Sequence, residues 1–347
     1  MSVKILIRTP NHLGDCLMAL PMINETREAY SGSMVSILAP EPLACLFENN
    51  PAIDRILSIP ASHVHGLLAV LKIRDIIASQ RFDVGYILPP SFGAAAGFKL
   101  AGIGKRIGYI ADGRRLLLSR PLPLPTPLNS THRSETYFNL LRRGAGADLE
   151  FVRPKLFLNE QDIIEGSDIL TRFHITESDQ YAALAVRAVA ESRRWGSEKY
   201  AELIKLLVSD YRLKVVLVGS AQDIREGEQI ASATGARDVI NLAGRTNLRE
   251  AGAILSRARI FIGNDSGPAH LAAAVGVPLV VLSGADDPKE TSPLSPRKRV
   301  IYLEHLGCIS CVKNVCSLKG DRHMQCMKNI TVDMVATAVE ELLSQND

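Results

Sequence analysis

The sequence predicts an α/β protein made of two doubly wound domains, each with a mostly parallel sheet. Short apolar segments alternate with amphipathic helical segments along nearly the whole chain, which is the pattern of successive βαβ units. Hydrophobic residues make up 46% of the 347 residues and aromatic residues only 5%. This composition favours an aliphatic α/β core over an aromatic-rich β-sandwich, and the length suffices for two domains of ordinary size.

The first half of the chain alternates five predicted strands with helices. The strands are expected at residues 3–8, 34–38, within 53–59, at 84–88 and at 106–110. Helices are expected at residues 15–30 (kinked at Pro21), 41–48, 69–79, 91–101 and, after a proline-rich interruption at 118–127, 130–143.

The same alternation restarts after a passage at residues 152–173. Strands are expected at residues 181–186, 214–219, 239–241, 260–262 and 278–283, and helices at 197–211, 223–234, 248–256, 268–275 and 332–344. We therefore assign residues 1–170 to a first domain, 171–331 to a second and 332–347 to a C-terminal helix. Ligands of such sheets bind at the carboxyl ends of the strands.

Composition and charge exclude several classes of protein. No apolar run approaches the roughly 20 residues that span a bilayer, and the chain begins a strand at once without a signal peptide, so we expect a cytoplasmic protein. The net charge of +3 gives no reason to expect nucleic-acid binding. The basic residues are concentrated in the first half, at Lys105, Arg106, Arg114, Arg115, Arg120 and Arg133.

The stretch at residues 260–276 carries the strongest functional signal. An apolar strand, a turn at residues 263–267 and a helix that begins at Pro268 form an anion site at a helix N-terminus. Ser266 and His270 can add side-chain donors, and Asp265 can accept from a sugar or ribose hydroxyl. An ordinary strand-to-helix turn is the alternative, but it does not need these side chains together.

This stretch resembles the D-[ST]-G-x-x-H loop of the ADP-heptose:lipopolysaccharide heptosyltransferases, glycosyltransferase family 9. Asp265, Ser266, Gly267 and His270 match that loop position for position. The resemblance continues through nearly the whole chain. It implies a GT-B glycosyltransferase fold, two Rossmann-like domains facing across a cleft, in which the C-terminal helix packs back on the first domain.

Asp15 is the candidate catalytic base. It begins a helix just after the first strand, where a carboxylate serves either as a helix cap or as a general base. The stretch PNHLGDCLMALP resembles the family's N-terminal motif, whose aspartate is the proposed base. Asn11 and His12 of the same loop are candidate acceptor contacts, although His12 could equally well pack against the protein.

Residues 185–195 supply a candidate phosphate site. They resemble the family pattern P-G-A-x-x-x-x-K-R-W, in which Arg193 takes the lysine position and becomes the phosphate candidate. Val186 and Arg187 replace the expected Pro-Gly, so Arg187 either adds a phosphate contact or obstructs the nucleotide. A solvated basic turn is the alternative for this stretch.

Asp223 and Thr246 complete the candidate donor site. Asp223 follows a strand and matches the family's ribose-binding acid, although a helix N-cap is an equally good reading of it. Thr246 belongs to a segment that resembles the one whose backbone meets the adenine. The basic residues Lys105, Arg106, Arg114 and Arg115 are candidate contacts for an acidic, phosphorylated acceptor, or they form an ordinary solvated surface.

Four cysteines form the pattern C-x2-C-x4-C-x9-C at Cys308, Cys311, Cys316 and Cys326. In a reducing compartment such a cluster is typical of a structural zinc site, with free thiols or disulfides as alternatives. His305 and His323 are possible substitute ligands. No D-x-D motif is present, so we expect no cofactor in catalysis.

The resemblance implies an inverting transferase that moves heptose from ADP-heptose to the lipopolysaccharide inner core, specifically to heptosylated Kdo2–lipid A. Peripheral contact with the cytoplasmic face of the inner membrane would accompany such an acceptor. The alternatives are another acceptor for the same donor, either the first core heptose site or a protein, and a degenerate protein that only binds nucleotide-sugars. A nicotinamide oxidoreductase is disfavoured because the first strand is followed by PNHLGD rather than G-x-G-x-x-G.

Overall fold

The computed structural model describes residues 2–64, 66–125, 131–235 and 238–344. The chain divides into two compact units, Met1–Phe157 and Leu158–Asp347. In the part of the chain so described, no helix has the length and apolarity needed to cross a membrane.

The first unit contains a six-stranded parallel sheet in the order β3-β2-β1-β4-β5-β6. Its strands are β1 (Lys4–Arg8), β2 (Met34–Pro40), β3 (Arg55–Ile59), β4 (Val84–Ile87), β5 (Lys105–Tyr109) and β6 (Arg120–Leu122). Its helices are α1 (Leu13–Met18), α2 (Leu20–Asn24), α3 (Thr26–Ala29), α4 (Leu67–Ile77), α5 (Phe92–Leu100) and α6 (Arg133–Ala145).

The second unit contains a six-stranded parallel sheet in the order β12-β11-β10-β7-β8-β9. Its strands are β7 (Tyr181–Ala185), β8 (Lys214–Leu217), β9 (Val239–Asn241), β10 (Ile260–Asn264), β11 (Leu279–Leu282) and β12 (Lys298–Ile301). Its helices are α7 (Glu160–Arg172), α8 (Ser197–Ser209), α9 (Ile224–Thr234), α10 (Leu248–Arg257), α11 (Gly267–Val275), α12 (Pro288–Thr291), α13 (Gln325–Lys328) and α14 (Val332–Ser344).

Both sheets have the strand order of a doubly wound fold, which confirms the predicted fold class. The order reverses between β1 and β4 in the first sheet and between β7 and β10 in the second. These central strands are covered on both faces, which explains why they read as continuous apolar runs. Ile260, Phe261 and Ile262 of β10 are fully buried, as are Ile5, Leu6 and Ile7 of β1. A reversal point opens a crevice at the carboxyl ends of the strands.

Both sheets gain an edge strand that the sequence analysis did not predict. β6 lies in the proline-rich interruption, and Pro121 is tolerated because an edge strand needs fewer backbone donors. β12 is half-polar and carries no apolar run. The predicted helix at 15–30 is divided into α1, α2 and α3, with Pro21 in the first turn of α2. The end of the proline-rich stretch and the predicted helix start at Ser130 fall outside the described residues.

Helix α7 moves the boundary between the units earlier than expected. The sequence analysis treated this region as a passage, but a capping box between Asn159 and Asp162 starts a regular helix here. α7 packs on α10, and Arg249 of α10 forms a buried ion pair with Asp162, so α7 belongs to the second unit. α14 packs on α8 and on β10–β12 of that unit. The expected contact of the C-terminal helix with the first domain stays a prediction.

Candidate active site

The loop between β10 and α11 lies at the reversal point of the second sheet. Asp265 and His270 are 4% and 7% exposed, while Ser266, Gly267 and Pro268 form the half-exposed tip. The hydroxyl of Ser266 donates to the carbonyl of Asn264 at 3.1 Å and does not cap α11. The tip therefore offers backbone and one hydroxyl at a helix N-terminus, where an anion is stabilised.

Asp265 is nearly buried in the structure, and its hydrogen bond with a sugar or ribose hydroxyl stays a prediction. Its carboxylate accepts a hydrogen bond from the Ser283 hydroxyl at 3.2 Å. Burial, and next the charge of Asp286, raise the pKa of Asp265 to about 7, while Ser283, Arg193 and Lys298 oppose this shift. The Asp265 carboxylate therefore links the residues that follow β10 to those that follow β11, and its pKa depends on the charges of Asp286, Arg193 and Lys298.

Asn264 is a site residue that the sequence analysis missed. It is fully buried, and its side-chain oxygen accepts from the backbone N–H of Trp195 at 3.1 Å. Its amide nitrogen donates to the carbonyl of Val186 at 3.3 Å. Asn264 thus fixes both ends of the candidate phosphate loop against β10. The available signal was an amide at the end of an otherwise apolar buried strand, since buried polar groups are normally hydrogen-bonded.

Arg193, the phosphate candidate, is paired with a carboxylate. Its Nε lies 2.5 Å from an oxygen of Asp286, and both side chains are largely buried. The preceding residue, Ser192, receives support from the cysteine segment: its N–H donates to Asn314 O at 3.2 Å and its hydroxyl to Lys313 O at 2.5 Å. Arg193 therefore sits on a fixed backbone with a fixed counter-ion, and its phosphate role stays a prediction.

Arg187 reaches from the end of β7 to the end of β8. Its Nη1 donates to the carbonyl of Gln222 at 3.1 Å and to Oδ1 of Asp223 at 3.3 Å, and its Nε lies 3.6 Å from Glu226. The other oxygen of Asp223 accepts from the N–H and hydroxyl of Ser220, at 2.7 and 2.9 Å, as a capping box. Asp223 precedes α9 but makes no side-chain cap of it, because its carboxylate closes the turn at residues 220–223 instead. A ribose contact stays a prediction.

Thr246 lies near the same strand end. The N–H of Gly244 donates to the carbonyl of Gly219 at 2.9 Å, which brings residues 242–246 to the carboxyl end of β8. Gly244 has φ of +69°, and a Cβ there would come within 3.0 Å of Ala221 and Ile224, so only glycine allows this approach. Thr246 is half-exposed beside this turn. Its contact with the nucleotide base stays a prediction.

Asp15 lies at the reversal point of the first sheet, in α1. Its carboxylate is 21% exposed and lies 3.2 Å from Nη1 of Arg133 at the start of α6. Asp15 also acts on the neighbouring Tyr137: burial, and next the charge of Asp15, raise the pKa of that phenol. An accessible carboxylate with one cationic neighbour is suited to accept a proton.

The loop before Asp15 is held by a buried arginine. Nη2 of Arg8 donates to Asn11 Oδ1 at 2.6 Å, and burial lowers the pKa of Arg8 to about 10. Asn11 therefore has a fixed orientation and keeps its amide nitrogen for other contacts. His12 is exposed and makes no side-chain cap of α1. Acceptor contacts by Asn11 and His12 stay predictions.

Two of the candidate acceptor arginines are structural in this fold. Arg114 is 1% exposed and its guanidinium donates to the carbonyls of Tyr109, Pro89 and Ile87. Arg106 donates to the carbonyls of Leu117, Ile103 and Gly104. These contacts hold the turn at residues 114–117 and account for both arginines without a ligand, and their acceptor role stays a prediction. Lys105 is half-buried, whereas Arg115 is exposed and remains the best placed of the four for an acidic ligand.

The four clustered cysteines line one cavity of about 300 Å³. All four are free thiols, and burial, and next the other three cysteines, raise the pKa of Cys326. Two N–H groups point at sulfur: Met324 N donates to Cys316 at 3.4 Å and Gln325 Nε2 to Cys308 at 3.3 Å. Among the described residues, no three His, Cys, Asp or Glu side chains are arranged as metal ligands. The structural zinc stays a prediction.

The chain is similar to known lipopolysaccharide heptosyltransferases. The sequence profile of glycosyltransferase family 9 (heptosyltransferase) matches residues 70–321. Lipopolysaccharide heptosyltransferase 2 of Escherichia coli K12 is 30% identical, covering 87% of this chain and 88% of the relative. The enzyme of the same name from Salmonella typhimurium is 29% identical, covering 99% of both chains.

Solved structures agree with this similarity. E. coli ADP-heptose lps heptosyltransferase II superposes with a TM-score of 0.82 at 28% identity, covering 99% of both chains. A glycosyltransferase family 9 structure from Veillonella parvula superposes with a TM-score of 0.86, covering 99% of this chain and 98% of that one. At 19% identity the second match shows the fold alone. The two matches confirm the predicted GT-B architecture of the individual units.

Proposed function

Because the chain belongs to glycosyltransferase family 9 and is a heptosyl-type glycosyltransferase, we propose that it adds the second heptose of the lipopolysaccharide inner core. The donor is ADP-heptose and the acceptor is Kdo2–lipid A that already bears one heptose. The similarity to lipopolysaccharide heptosyltransferase 2 over most of the chain is the observation that carries this proposal. An acceptor anchored in a bilayer further suggests peripheral contact with the cytoplasmic face of the inner membrane.

The second unit binds the donor in this proposal. The half-exposed tip at Ser266 and Gly267 and the N-terminus of α11 face the diphosphate, where hydrogen-bond donors stabilise a departing anion. Arg193 adds a positive charge beside them. Asn264 acts as a positioning residue because it ties the phosphate loop to β10. The buried carboxylate of Asp265 keeps that loop in place through its hydrogen bond with Ser283.

The first unit supplies the base. Asp15 removes the proton of an acceptor hydroxyl. As it does so, the hydroxyl oxygen of the acceptor attacks the anomeric carbon of heptose. The C–O bond to the diphosphate breaks at the same time, ADP leaves, and the configuration at the anomeric carbon inverts. Charge on ADP is neutralised by backbone dipoles and arginine, so the displacement uses no metal ion.

Release of ADP from ADP-heptose tests this proposal, with heptosylated Kdo2–lipid A as acceptor. Wild-type protein should release ADP only when the acceptor is present, and Asp15→Ala should lower kcat by about 10²- to 10⁴-fold, the usual effect of losing a general base. Full activity with unheptosylated Kdo2–lipid A instead would overturn the acceptor assignment. Donor binding without any turnover on either acceptor would indicate a binding protein.

A further inference from the structure

Arg187 lies at the reversal point of the second sheet. Ala185, the last residue of β7, is paired with Gly263 of β10, and Val186 accepts a hydrogen bond from the side chain of Asn264. The backbone of Arg187 is therefore next to the loop that leads into α11. This crevice is where doubly wound sheets bind the phosphates of nucleotides.

The guanidinium of Arg187 donates to the carbonyl of Gln222 at 3.1 Å but makes only longer contacts with its two carboxylates. Its contacts with Asp223 and Glu226 are 3.3 and 3.6 Å long, whereas charge-assisted N–H···O bonds are typically about 2.7–2.9 Å. Each carboxylate has a shorter bond to another group. Asp223 accepts from Ser220 N–H at 2.7 Å, and Glu226 accepts from the hydroxyl of Ser197 at 2.6 Å. Neither carboxylate needs Arg187 to stay where it is.

Arg193, in the same loop, faces a more deeply buried carboxylate than Arg187 does. Its Nε lies 2.5 Å from Asp286, although this N–H makes no hydrogen bond within the described residues, and the side chain of Asp286 is 11% exposed. Moving the guanidinium away would therefore take a positive charge from a nearly buried carboxylate. The side chains of Asp223 and Glu226 are 18% and 25% exposed. Of the two arginines, Arg187 is the one that can change partners at the lower free-energy cost.

We propose that Arg187 binds a phosphate of the nucleotide diphosphate by exchanging Asp223 and Glu226 for phosphate oxygens, an inference that rests on the proposed function. The exchange releases Oδ1 of Asp223, while Oδ2 continues to close the turn at residues 220–223 through Ser220. The released oxygen then accepts a hydrogen bond from a ribose hydroxyl. A single side chain thereby couples recognition of the diphosphate to recognition of the ribose.

Calorimetric titration of the full chain with ADP, AMP and adenosine tests this exchange. Arg187→Ala should weaken ADP binding about tenfold or more, the loss of a charged hydrogen bond, weaken AMP binding less and leave adenosine binding no weaker. Arg225→Ala is the matched control, because Arg225 is an exposed arginine in the first turn of α9 and its removal changes the net charge equally.

A second variant tests the competition itself. Glu226→Gln removes one of the two charges that compete with phosphate and keeps a side chain that can accept from Ser197. ADP affinity should rise severalfold in Glu226→Gln, and this gain should vanish when Arg187→Ala is added. If Arg187 had a purely structural role, the rise in ADP affinity in Glu226→Gln would not depend on the presence of Arg187.

Three results would overturn the inference. Tighter ADP binding by Arg187→Ala would mean that Arg187 obstructs the site. Equal weakening of ADP, AMP and adenosine would mean that Arg187 acts only through the fold. An unchanged ADP affinity would remove Arg187 from the site while leaving the proposed function intact. Failure of wild-type protein to bind either ADP or ADP-heptose would overturn the proposed function as well.

Discussion

The guanidinium of Arg133 lies 3.2 Å from the carboxylate of Asp15, and this pair joins the start of α6 to α1. Arg133 was noted in the sequence only as one of several clustered basic residues. The structure separates it from the rest of that group, since Arg114 and Arg106 serve backbone carbonyls. A cation at this distance orients a carboxylate, so Arg133 acts as a positioning residue for the candidate base Asp15.

Replacing Arg133 with alanine should lower kcat by about tenfold and leave the KM for ADP-heptose unchanged, because a misoriented base affects the chemical step. Steady-state ADP release measures both constants. Arg133→Lys keeps the charge and should restore part of the rate. A rise in donor KM with an unchanged kcat would contradict the positioning role.

The ion pair between Asp162 and Arg249 should be a large contributor to the stability of the second unit. The two side chains are 10% and 6% exposed, so Asp162→Asn removes the negative charge that faces the buried Arg249 and should lower the free energy of unfolding by about 3–5 kcal/mol. Urea unfolding measures the change. The exposed pair of Arg27 and Asp54 is the control, and Arg27→Ala should cost less than about 1 kcal/mol. Similar losses in both variants would contradict the prediction.

Asp265 should make the free energy of unfolding depend on pH. Its pKa is about 7 in the fold, against an ordinary value of 3.8, so between these two pH values the folded chain binds more protons than the unfolded chain. The stability contributed by protonated Asp265 is complete below about pH 4 and is lost as the pH rises through 7, at no more than about 1.4 kcal/mol per pH unit. Urea unfolding at several pH values, compared with Asp265→Asn, isolates this slope. An identical slope in both proteins would contradict it.

Zinc analysis tests the cysteine prediction. We expect one zinc ion per chain in protein purified under reducing conditions, because four thiols of one cavity are soft ligands. Cys308→Ser should lose the metal and Cys45→Ser, in the other unit, should keep it. If a chelator removes the zinc and activity falls, added Mg²⁺ should not restore it, because no step of the proposed displacement uses a metal. Metal-free protein with four reactive thiols would contradict the prediction.

The central strands were predictable because their burial on both faces leaves a sequence signal. β1, β7 and β10 read as uninterrupted apolar runs, and turn formers mark the strand-to-helix loop at Ser266 and Gly267. The edge strands β6 and β12 leave no such signal, because one edge lacks a neighbour and polar residues and proline are tolerated there. The sequence analysis assigned residues 152–173 to a passage between the domains, although a capping box at Asn159 and Asp162 starts helix α7 there.

Within the candidate site, the residues that form it were easier to predict than the side chains that they contact. The pattern around Asp265 identified the loop, yet nothing local shows that its carboxylate faces Ser283 and Asp286 of another strand end. The same applies to Arg187, whose partners lie in the turn after β8 and on α9. Long-range pairing of this kind depends on sheet order, which local pattern does not encode.

The cysteine segment is hydrogen-bonded on both sides of the Arg193–Asp286 pair. Ser192 binds Lys313 and Asn314, while Ser310 and Val312 donate their N–H groups to Gly284 and Ala285. Oxidation or alkylation of the thiols would displace this segment and, with it, the arginine. Linkage between equilibria is reciprocal, so bound nucleotide should in turn favour the arrangement in which this segment is in place, and the thiols should then be less accessible to alkylating reagents. In a preparation kept in air, the loss of free thiols and the loss of nucleotide affinity should then follow the same time course.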